Sequence, residues 1–165
     1  MHKRDESATG PDRSIDLGEM THVGIAVRDI GAAIAALRGL GLQFGVVWHV
    51  EVPSIYRGAD TRAGIKGAFS QGGPVVIELV EPTGGQSAVA TFVSEQGEGV
   101  QHLGYRIPDV AAAIAEAEAL GFKAEWTVDD EHGLAVAFLP PGAFFGISIE
   151  LVRSEPPVDL QKWMK

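Results

Sequence analysis

The sequence predicts an α+β fold in which two tandem βαβββ repeats form a curved mixed-sheet cleft. The first observation is an internal repeat, because nine of the twenty positions in 22–41 are identical to those in 102–121. The second is that each copy passes from an alternating apolar segment, typical of a strand with one buried face, to an Ala-rich helical segment. The third is that three shorter strand-like segments follow in each copy, separated by turn residues.

The first strand and the helix of each repeat carry matching local signals. The strand signal is an apolar residue at every second position: Val23, Ile25 and Val27, then Leu103, Tyr105 and Ile107. Asp29 and Asp109 follow these strands and are predicted to cap the helices, since a carboxylate oxygen accepts from the first free backbone N–H groups. Gly41 and Gly121 stand where the helices are expected to end.

The remaining strands are predicted from apolar runs between turn signals. They are expected at 44–52, 63–70 and 75–80 in repeat one, and at 124–128, 135–139 and 147–152 in repeat two. Ser87–Glu95, in the join between the repeats, is predicted to be a short helix. The first repeat is longer than the second, and the extra residues are predicted to form an elaborated loop in the polar stretch Trp48–Arg62.

These elements predict a single domain with two tails. The predicted parts are a loose polar leader (1–20), one domain (21–152, with repeats 21–81 and 101–152 around a join 82–100) and a C-terminal arm (153–165). The tails are assigned by their polar, non-periodic composition.

The composition excludes several classes of function. The chain has 165 residues, with 13 Lys+Arg against 22 Asp+Glu and a formal net charge of −9. This balance argues against nucleic acid as a partner, because such binding needs a basic face. Since the sequence contains no cysteine, nitrogen and oxygen must ligate any metal. The lack of an apolar run of roughly 20 residues, and of a secretory signal, predicts a cytoplasmic protein that does not contact the membrane.

Two histidines and two glutamates recur at equivalent positions of the repeats. His22 opens the first strand of repeat one and Glu78 lies in its last strand, and His102 and Glu150 repeat this arrangement. A lone strand histidine is usually structural and a lone strand glutamate usually faces solvent, but such accidents need not recur together. A pseudo-twofold axis would bring all four around one centre, a donor set that suits divalent Co, Ni, Mn, Fe or Zn. We predict that these four residues are metal ligands.

The paired units also support a family resemblance. The βαβββ units, the strand starts of pattern His-apolar-Gly-apolar and the two Ile-Glu-Leu strands resemble the vicinal oxygen chelate superfamily, over about residues 20–152. That group includes glyoxalase I, methylmalonyl-CoA epimerase, extradiol dioxygenases and bleomycin-resistance proteins. The resemblance implies a glyoxalase-like fold and a metal held by His22, Glu78, His102 and Glu150. Many chemistries share this fold, so the reaction has to be argued from the site.

The join between the repeats is most similar to that of the methylmalonyl-CoA epimerases, with a Pro-x-Gly turn, a short helix and a Gly-rich approach to His102. This resemblance implies a metal-dependent isomerase that stabilises an enolate and moves a proton next to a carbonyl or thioester. It also implies that Glu150 acts as a base. The epimerases' second glutamate has no counterpart in 63–70, so Lys66 is the predicted second catalytic residue; His49, Glu51 and Tyr56 remain alternatives.

Two other functions fit the same pattern. One is a lyase of the glyoxalase I kind, which uses the same four ligands. The other is a non-catalytic binding protein of the bleomycin-resistance type, against which the retention of four ligand-type residues argues. The expected partner is a small molecule, either an acyl-CoA or an oxo-acid. The family resemblance also allows a homodimer, because members of the family often dimerise.

Overall fold

The computed structural model describes residues 14–159. The strands are β1 (Glu19–Ala26), β2 (Gln43–Phe44), β3 (Trp48–Tyr56), β4 (Ala59–Gln71), β5 (Ile77–Gly84), β6 (Gly99–Ile107), β7 (Trp126–Asp130), β8 (Gly133–Leu139) and β9 (Ser148–Arg153). The helices are α1 (Ile30–Gly39), α2 (Ala88–Glu95) and α3 (Val110–Ala119), with a short 3-10 turn at Pro141–Ala143. Most of the predicted leader and the end of the predicted arm lie outside the described residues.

The helices begin and end at the predicted signals. Asp29 Oδ1 accepts from the backbone N–H of Ala32 at 2.9 Å, and Asp109 accepts in the same way from Ala112 at 2.9 Å. Gly41 and Gly121 follow the two helices with φ of +92° and +90°, the left-handed conformation that glycine adopts without strain. The predicted short helix is confirmed as α2, which Ser87 caps.

The elaborated loop predicted at Trp48–Arg62 is wrong, because these residues form a long hairpin. Strands β3 and β4 pair continuously from Trp48 opposite Gly67 to Tyr56 opposite Ala59. The turn consists of Arg57 and Gly58, with φ of +50° and +82°, a conformation that matches the twist of paired strands. The extra residues of repeat one therefore lengthen its sheet.

The predicted mixed sheet of two repeats is confirmed, and it closes on itself. The order is β2-β4-β3-β7-β8-β9-β6-β1-β5, and β4 also pairs with β5, so eight strands form a ring with β2 attached outside. The repeats meet along β1 and β6, which are antiparallel, and over two residue pairs between β3 and β7. The predicted cleft is therefore the interior of this ring.

Alternation along the strands decides which side chains reach that interior. In β5, Leu79 packs with α1 outside the ring, whereas Val80 belongs to the interior cluster with α2. Helix α3 covers the outside of the second repeat in the same way. Two apolar residues of the predicted leader, Ile15 and Leu17, pack against this second outer cluster.

In the part of the chain that the structure describes, every helix is too short or too polar to span a bilayer. The cytoplasmic location and the second copy of the chain stay predictions.

Candidate metal centre

The four predicted ligands converge inside the ring. Their ligand atoms lie within 4.8 Å of one another. His22 Nε2 is 3.2 Å from Glu78 Oε2 and 2.9 Å from Glu150 Oε2. His102 Nε2 is 3.1 Å and 3.6 Å from the same two oxygens, and the two Nε2 atoms are 3.1 Å apart. Residues between 24 and 128 positions apart in the sequence thus form one buried cluster.

The register between β1 and β6 brings the histidines together. His22 lies opposite Gly104 and Gly24 lies opposite His102, so each imidazole covers the glycine of the other repeat. A Cβ atom on Gly24 would lie 1.9 Å from the His102 ring, and one on Gly104 would lie 2.0 Å from the His22 ring. The glycine two residues after each histidine is therefore required by the ring that packs on it.

Thr21 determines which nitrogen of His22 faces the cluster. The Thr21 hydroxyl donates to the carbonyl of Gly104 at 3.2 Å, so its oxygen is left to accept the Nδ1–H of His22 at 2.9 Å. The proton of the neutral imidazole is therefore on Nδ1. The Nε2 lone pair points at the two carboxylates, as a metal ligand requires.

Gln101 has the same role for His102. Its amide nitrogen donates to Ser148 Oγ at 3.2 Å, and its oxygen lies 2.6 Å from His102 Nδ1 and accepts that N–H. Sequence reasoning missed both supporting residues, although each directly precedes a ligand histidine. With Nδ1–H held by Thr21 and Gln101, the two imidazoles direct their Nε2 atoms at two carboxylates, an arrangement that suits a shared cation.

The pKa values of His22 and Glu78 also indicate that the cluster holds a cation. Burial alone lowers the pKa of His22, but the neighbouring carboxylates of Glu150 and Glu78 outweigh burial and raise it from 6.5 to about 10. Burial alone raises the pKa of Glu78, but the two imidazoles outweigh it and lower the value from 4.5 to about 2. Without a metal, the cluster therefore holds a proton on His22.

The donor set fits a divalent metal ion. Glu150 Oε2 is buried and lies 2.9 Å from His22 Nε2, the atom that carries the extra proton when no metal is bound. Two imidazole nitrogens and two carboxylate oxygens are borderline-to-hard ligands for Zn, Fe, Co, Ni or Mn. Ligands held at about 2.0–2.1 Å from one ion are roughly 3.0–3.4 Å apart, close to most of the separations in this cluster. The cluster can therefore hold a metal ion in place of the His22 proton.

An apolar cavity adjoins the cluster. It has a volume of about 80 Å³, and the titratable residues in its wall are Glu78, His102 and Glu150. The remaining lining residues are aliphatic or aromatic: Trp48, Val50, Val52, Ile65, Val80, Val89, Trp126, Val128, Val136 and Phe138. A ligand in this cavity would lose most of its water, which strengthens its electrostatic interactions with the cluster.

The structure does not bring Lys66 into this site. Lys66 follows Ile65, which lines the cavity, so its side chain leaves the opposite face of β4 and donates to Glu81 Oε1 at 3.0 Å. Glu81 Oε2 in turn accepts from the backbone N–H of Ile30, at the start of α1. The geometry gives the predicted catalytic role of Lys66 no support.

The alternatives to Lys66 are also engaged elsewhere. His49 Nε2 lies 3.1 Å from the Thr83 hydroxyl, in contacts exposed to solvent. Glu51 forms an ion pair with Arg62 at 3.5 Å. Tyr56 is buried, but its hydroxyl lies 2.6 Å from that of Thr91.

The pKa values of His22 and Glu78 predict how the stability of metal-free protein varies with pH. Protonated His22 stabilises the fold fully below about pH 6.5, and this contribution is lost as pH rises towards about 10. Ionised Glu78 stabilises it above about pH 4.5, and this contribution is lost as pH falls towards about 2. We expect the melting temperature of chelator-treated protein to be highest between about pH 4.5 and 6.5 and to fall above it.

The slope above pH 6.5 should disappear in His22→Gln and persist in His132→Gln, which removes an exposed imidazole. A slope that is unchanged in His22→Gln would contradict this assignment.

Comparison with known proteins places this architecture in a superfamily. The model of the Glyoxalase/Bleomycin resistance protein/Dioxygenase superfamily matches residues 21–157. An ethylmalonyl-CoA/methylmalonyl-CoA epimerase from Cereibacter sphaeroides is 29% identical over 140 residues, 82% of this chain and 97% of that protein. The chain belongs to the Glyoxalase/Bleomycin resistance protein/Dioxygenase superfamily, as the sequence resemblance predicted.

Within that superfamily, solved structures of methylmalonyl-CoA epimerases are similar to this chain. The crystal structure of methylmalonyl-CoA epimerase from Mycobacterium tuberculosis is similar with a TM-score of 0.58 and 25% identity, over 87% of this chain and 90% of that one. A methylmalonyl-CoA epimerase in complex with methylmalonyl-CoA and NH4+ is similar with a TM-score of 0.54 and 25% identity, over 82% of this chain and 94% of that one.

Proposed function

We propose that this protein is a divalent-metal-dependent isomerase that moves a proton at the carbon next to the carbonyl of an acyl-CoA thioester. The observation that carries the proposal is the cluster of His22, Glu78, His102 and Glu150 at the wall of an otherwise apolar cavity. The similarity to methylmalonyl-CoA epimerases supports the acyl-CoA as substrate class.

The four clustered residues and the two that support them have separate tasks in this chemistry. His22, Glu78, His102 and Glu150 would hold the metal, and the ion would supply Lewis-acid stabilisation of the enolate oxygen. Thr21 and Gln101 keep both imidazoles in the tautomer that presents Nε2.

Glu150 is the proposed base. Its side chain lines the cavity, so an α-carbon bound there can pass a proton to the carboxylate. Among the lining residues of the described chain, the only titratable side chains are Glu78, His102 and Glu150. Proton transfer therefore takes place at this wall, while the apolar walls exclude competing water.

A proton-exchange experiment tests the proposal. Metal-loaded protein in D₂O is expected to exchange the α-proton of methylmalonyl-CoA, followed by NMR, and chelator-treated protein is not. Re-addition of Co²⁺, Ni²⁺, Mn²⁺, Fe²⁺ or Zn²⁺ should restore exchange, because the added ion refills the site that the chelator has emptied. Absence of exchange over a panel of acyl-CoA thioesters would overturn the proposal.

Two further assays on the same protein separate the two other predicted functions. Turnover of the hemithioacetal of glutathione and methylglyoxal without acyl-CoA exchange would indicate a lyase of the glyoxalase I kind. Metal-independent ligand binding with no turnover would indicate a binding protein.

A further inference from the structure

Helix α2 supplies one wall of the apolar cavity. Of the described residues that line it, Val89 is the one that lies on a helix, whereas the others lie on strands of the ring. The cavity is also lined by Glu78, which belongs to the candidate metal centre. On β5, Val80 is the next side chain after Glu78 that belongs to the interior, and the chain then continues into α2. The cavity therefore extends from the cluster to Val89.

Packing holds Val89 in place. Its side chain is 2% exposed and belongs, with Ala88 and Phe92, to the apolar cluster that fills the interior of the ring. The hydroxyl of Thr91, on the same helix, lies 2.6 Å from that of Tyr56 at the end of β3. A wall that is packed in this way does not yield to a longer ligand, because overfilling a close-packed interior is destabilising.

The cavity is small as well as apolar. A cavity of about 150 Å³ with aliphatic and aromatic walls holds one benzene molecule, and this cavity, at about 80 Å³, is about half as large. By this measure it holds about three carbon atoms. The cluster would hold the carbonyl of a bound thioester, and the apolar walls favour the hydrocarbon part of its acyl group. An acyl chain therefore has room for about three carbons beyond the carbonyl.

We propose that Val89 is a specificity-determining residue that limits the acyl chain of the thioester to about three carbons beyond the carbonyl. This inference rests on the proposed function and deepens it, because it names a residue that selects among acyl-CoA substrates by length. Each further methylene has to displace the Val89 side chain or stay outside the cavity. A chain that is too short leaves apolar surface uncovered and loses about fourfold in affinity for each missing methylene.

A series of acyl-CoA thioesters measures this limit without turnover. Metal-loaded protein is titrated calorimetrically with acetyl-CoA, propionyl-CoA, butyryl-CoA, hexanoyl-CoA and octanoyl-CoA. We expect the affinity to rise from acetyl-CoA to butyryl-CoA by about fourfold per methylene. Hexanoyl-CoA and octanoyl-CoA should bind about tenfold more weakly than butyryl-CoA, because their chains exceed the cavity.

Two substitutions should move the limit in opposite directions. Val89→Ala removes two methyl groups from the wall, so the strongest binding should shift from butyryl-CoA to hexanoyl-CoA. Val89→Ile adds one carbon to the wall, so the strongest binding should shift to propionyl-CoA. Both variants should keep the metal content of wild type, since Val89 is not one of the clustered residues. That measurement also shows that the variants are folded.

Val93→Ala is the matched control. Val93 lies on the same helix and packs against the same interior cluster, but it does not line the cavity. The same truncation at this position loosens the packing of α2 without enlarging the cavity. It should therefore leave butyryl-CoA as the thioester that binds most strongly.

The possible outcomes separate this inference from the proposed function. Affinities that do not depend on chain length, an order that neither Val89 variant changes, or an equal shift in Val93→Ala would overturn the inference, even if α-proton exchange takes place. The expected order and shifts without exchange over the panel of thioesters would support the role of Val89 and overturn the isomerase activity. Absence of binding by every thioester would overturn both.

Discussion

His102→Ala is expected to reduce the metal content of the purified protein from near stoichiometric to background, and to abolish α-proton exchange with it. His102 is 1% exposed and its Nε2 lies 3.1 Å from both His22 Nε2 and Glu78 Oε2, so no neighbouring group can replace the lost nitrogen. Loss of a ligand whose orientation Gln101 already fixes removes both the nitrogen and its preorganisation. Metal analysis by mass spectrometry on untagged protein measures the result.

The matched control is His132→Ala, which removes an exposed imidazole in the turn between β7 and β8. Its metal content and activity should equal those of wild type. Stoichiometric metal in His102→Ala would show that the four-residue cluster is not the metal site.

Glu150→Gln complements this variant because it separates the ligand role from the base role. The amide keeps an oxygen for the ion, whereas it cannot accept the α-proton. We therefore expect weakened but detectable metal binding, and at saturating metal a loss of exchange of roughly 10²- to 10⁴-fold. Exchange at the wild-type rate in metal-saturated Glu150→Gln would show that another group acts as the base.

The second large effect is expected from a single methyl group at Gly24 or Gly104. A Cβ atom at either position would lie about 2 Å from an imidazole ring, a distance that side chains do not tolerate. The ring has to move away from the cluster, so Gly24→Ala and Gly104→Ala should lose metal affinity and destabilise the fold by about 1–3 kcal/mol. Metal titration and thermal unfolding with and without metal measure the two effects.

Gly39→Ala is the control for these substitutions. Gly39 lies at the end of α1, and a Cβ atom there would meet nothing within 4 Å. Alanine is a better helix former than glycine, so this variant should be neutral or more stable by about 0.5–1 kcal/mol, with unchanged metal binding. Wild-type metal affinity in Gly24→Ala would contradict the packing of the His102 ring on that glycine.

The four residues of the candidate metal centre were predictable because they recur. An isolated histidine at the start of a strand carries little information, but His22 and His102, each followed by a glycine and later by an Ile-Glu-Leu strand, indicate a common role. The helix ends were predictable for a local reason. The caps Asp29 and Asp109 need only the first turn of the helix that follows them.

The face of the sheet on which Lys66 lies could not be predicted from the sequence. Its strand, β4, is buried on both faces, so Ile65 and Ala68 are both apolar and the sequence shows no alternation that would assign Lys66 to a face. The pairing with β3 and β5 decides it, because this pairing turns Ile65 into the ring and Lys66 towards Glu81.

The sequence by itself determined the two repeats, the helix boundaries and the four residues of the candidate metal centre, because those depend on spacing and on local hydrogen bonding. Only the tertiary structure decided the closure of the ring, the support of the histidines by Thr21 and Gln101, and the position of Trp48 and Trp126 around one cavity. These features depend on the register between strands far apart in the chain. A shift of one residue in that register turns every side chain of a strand to the opposite face of the sheet.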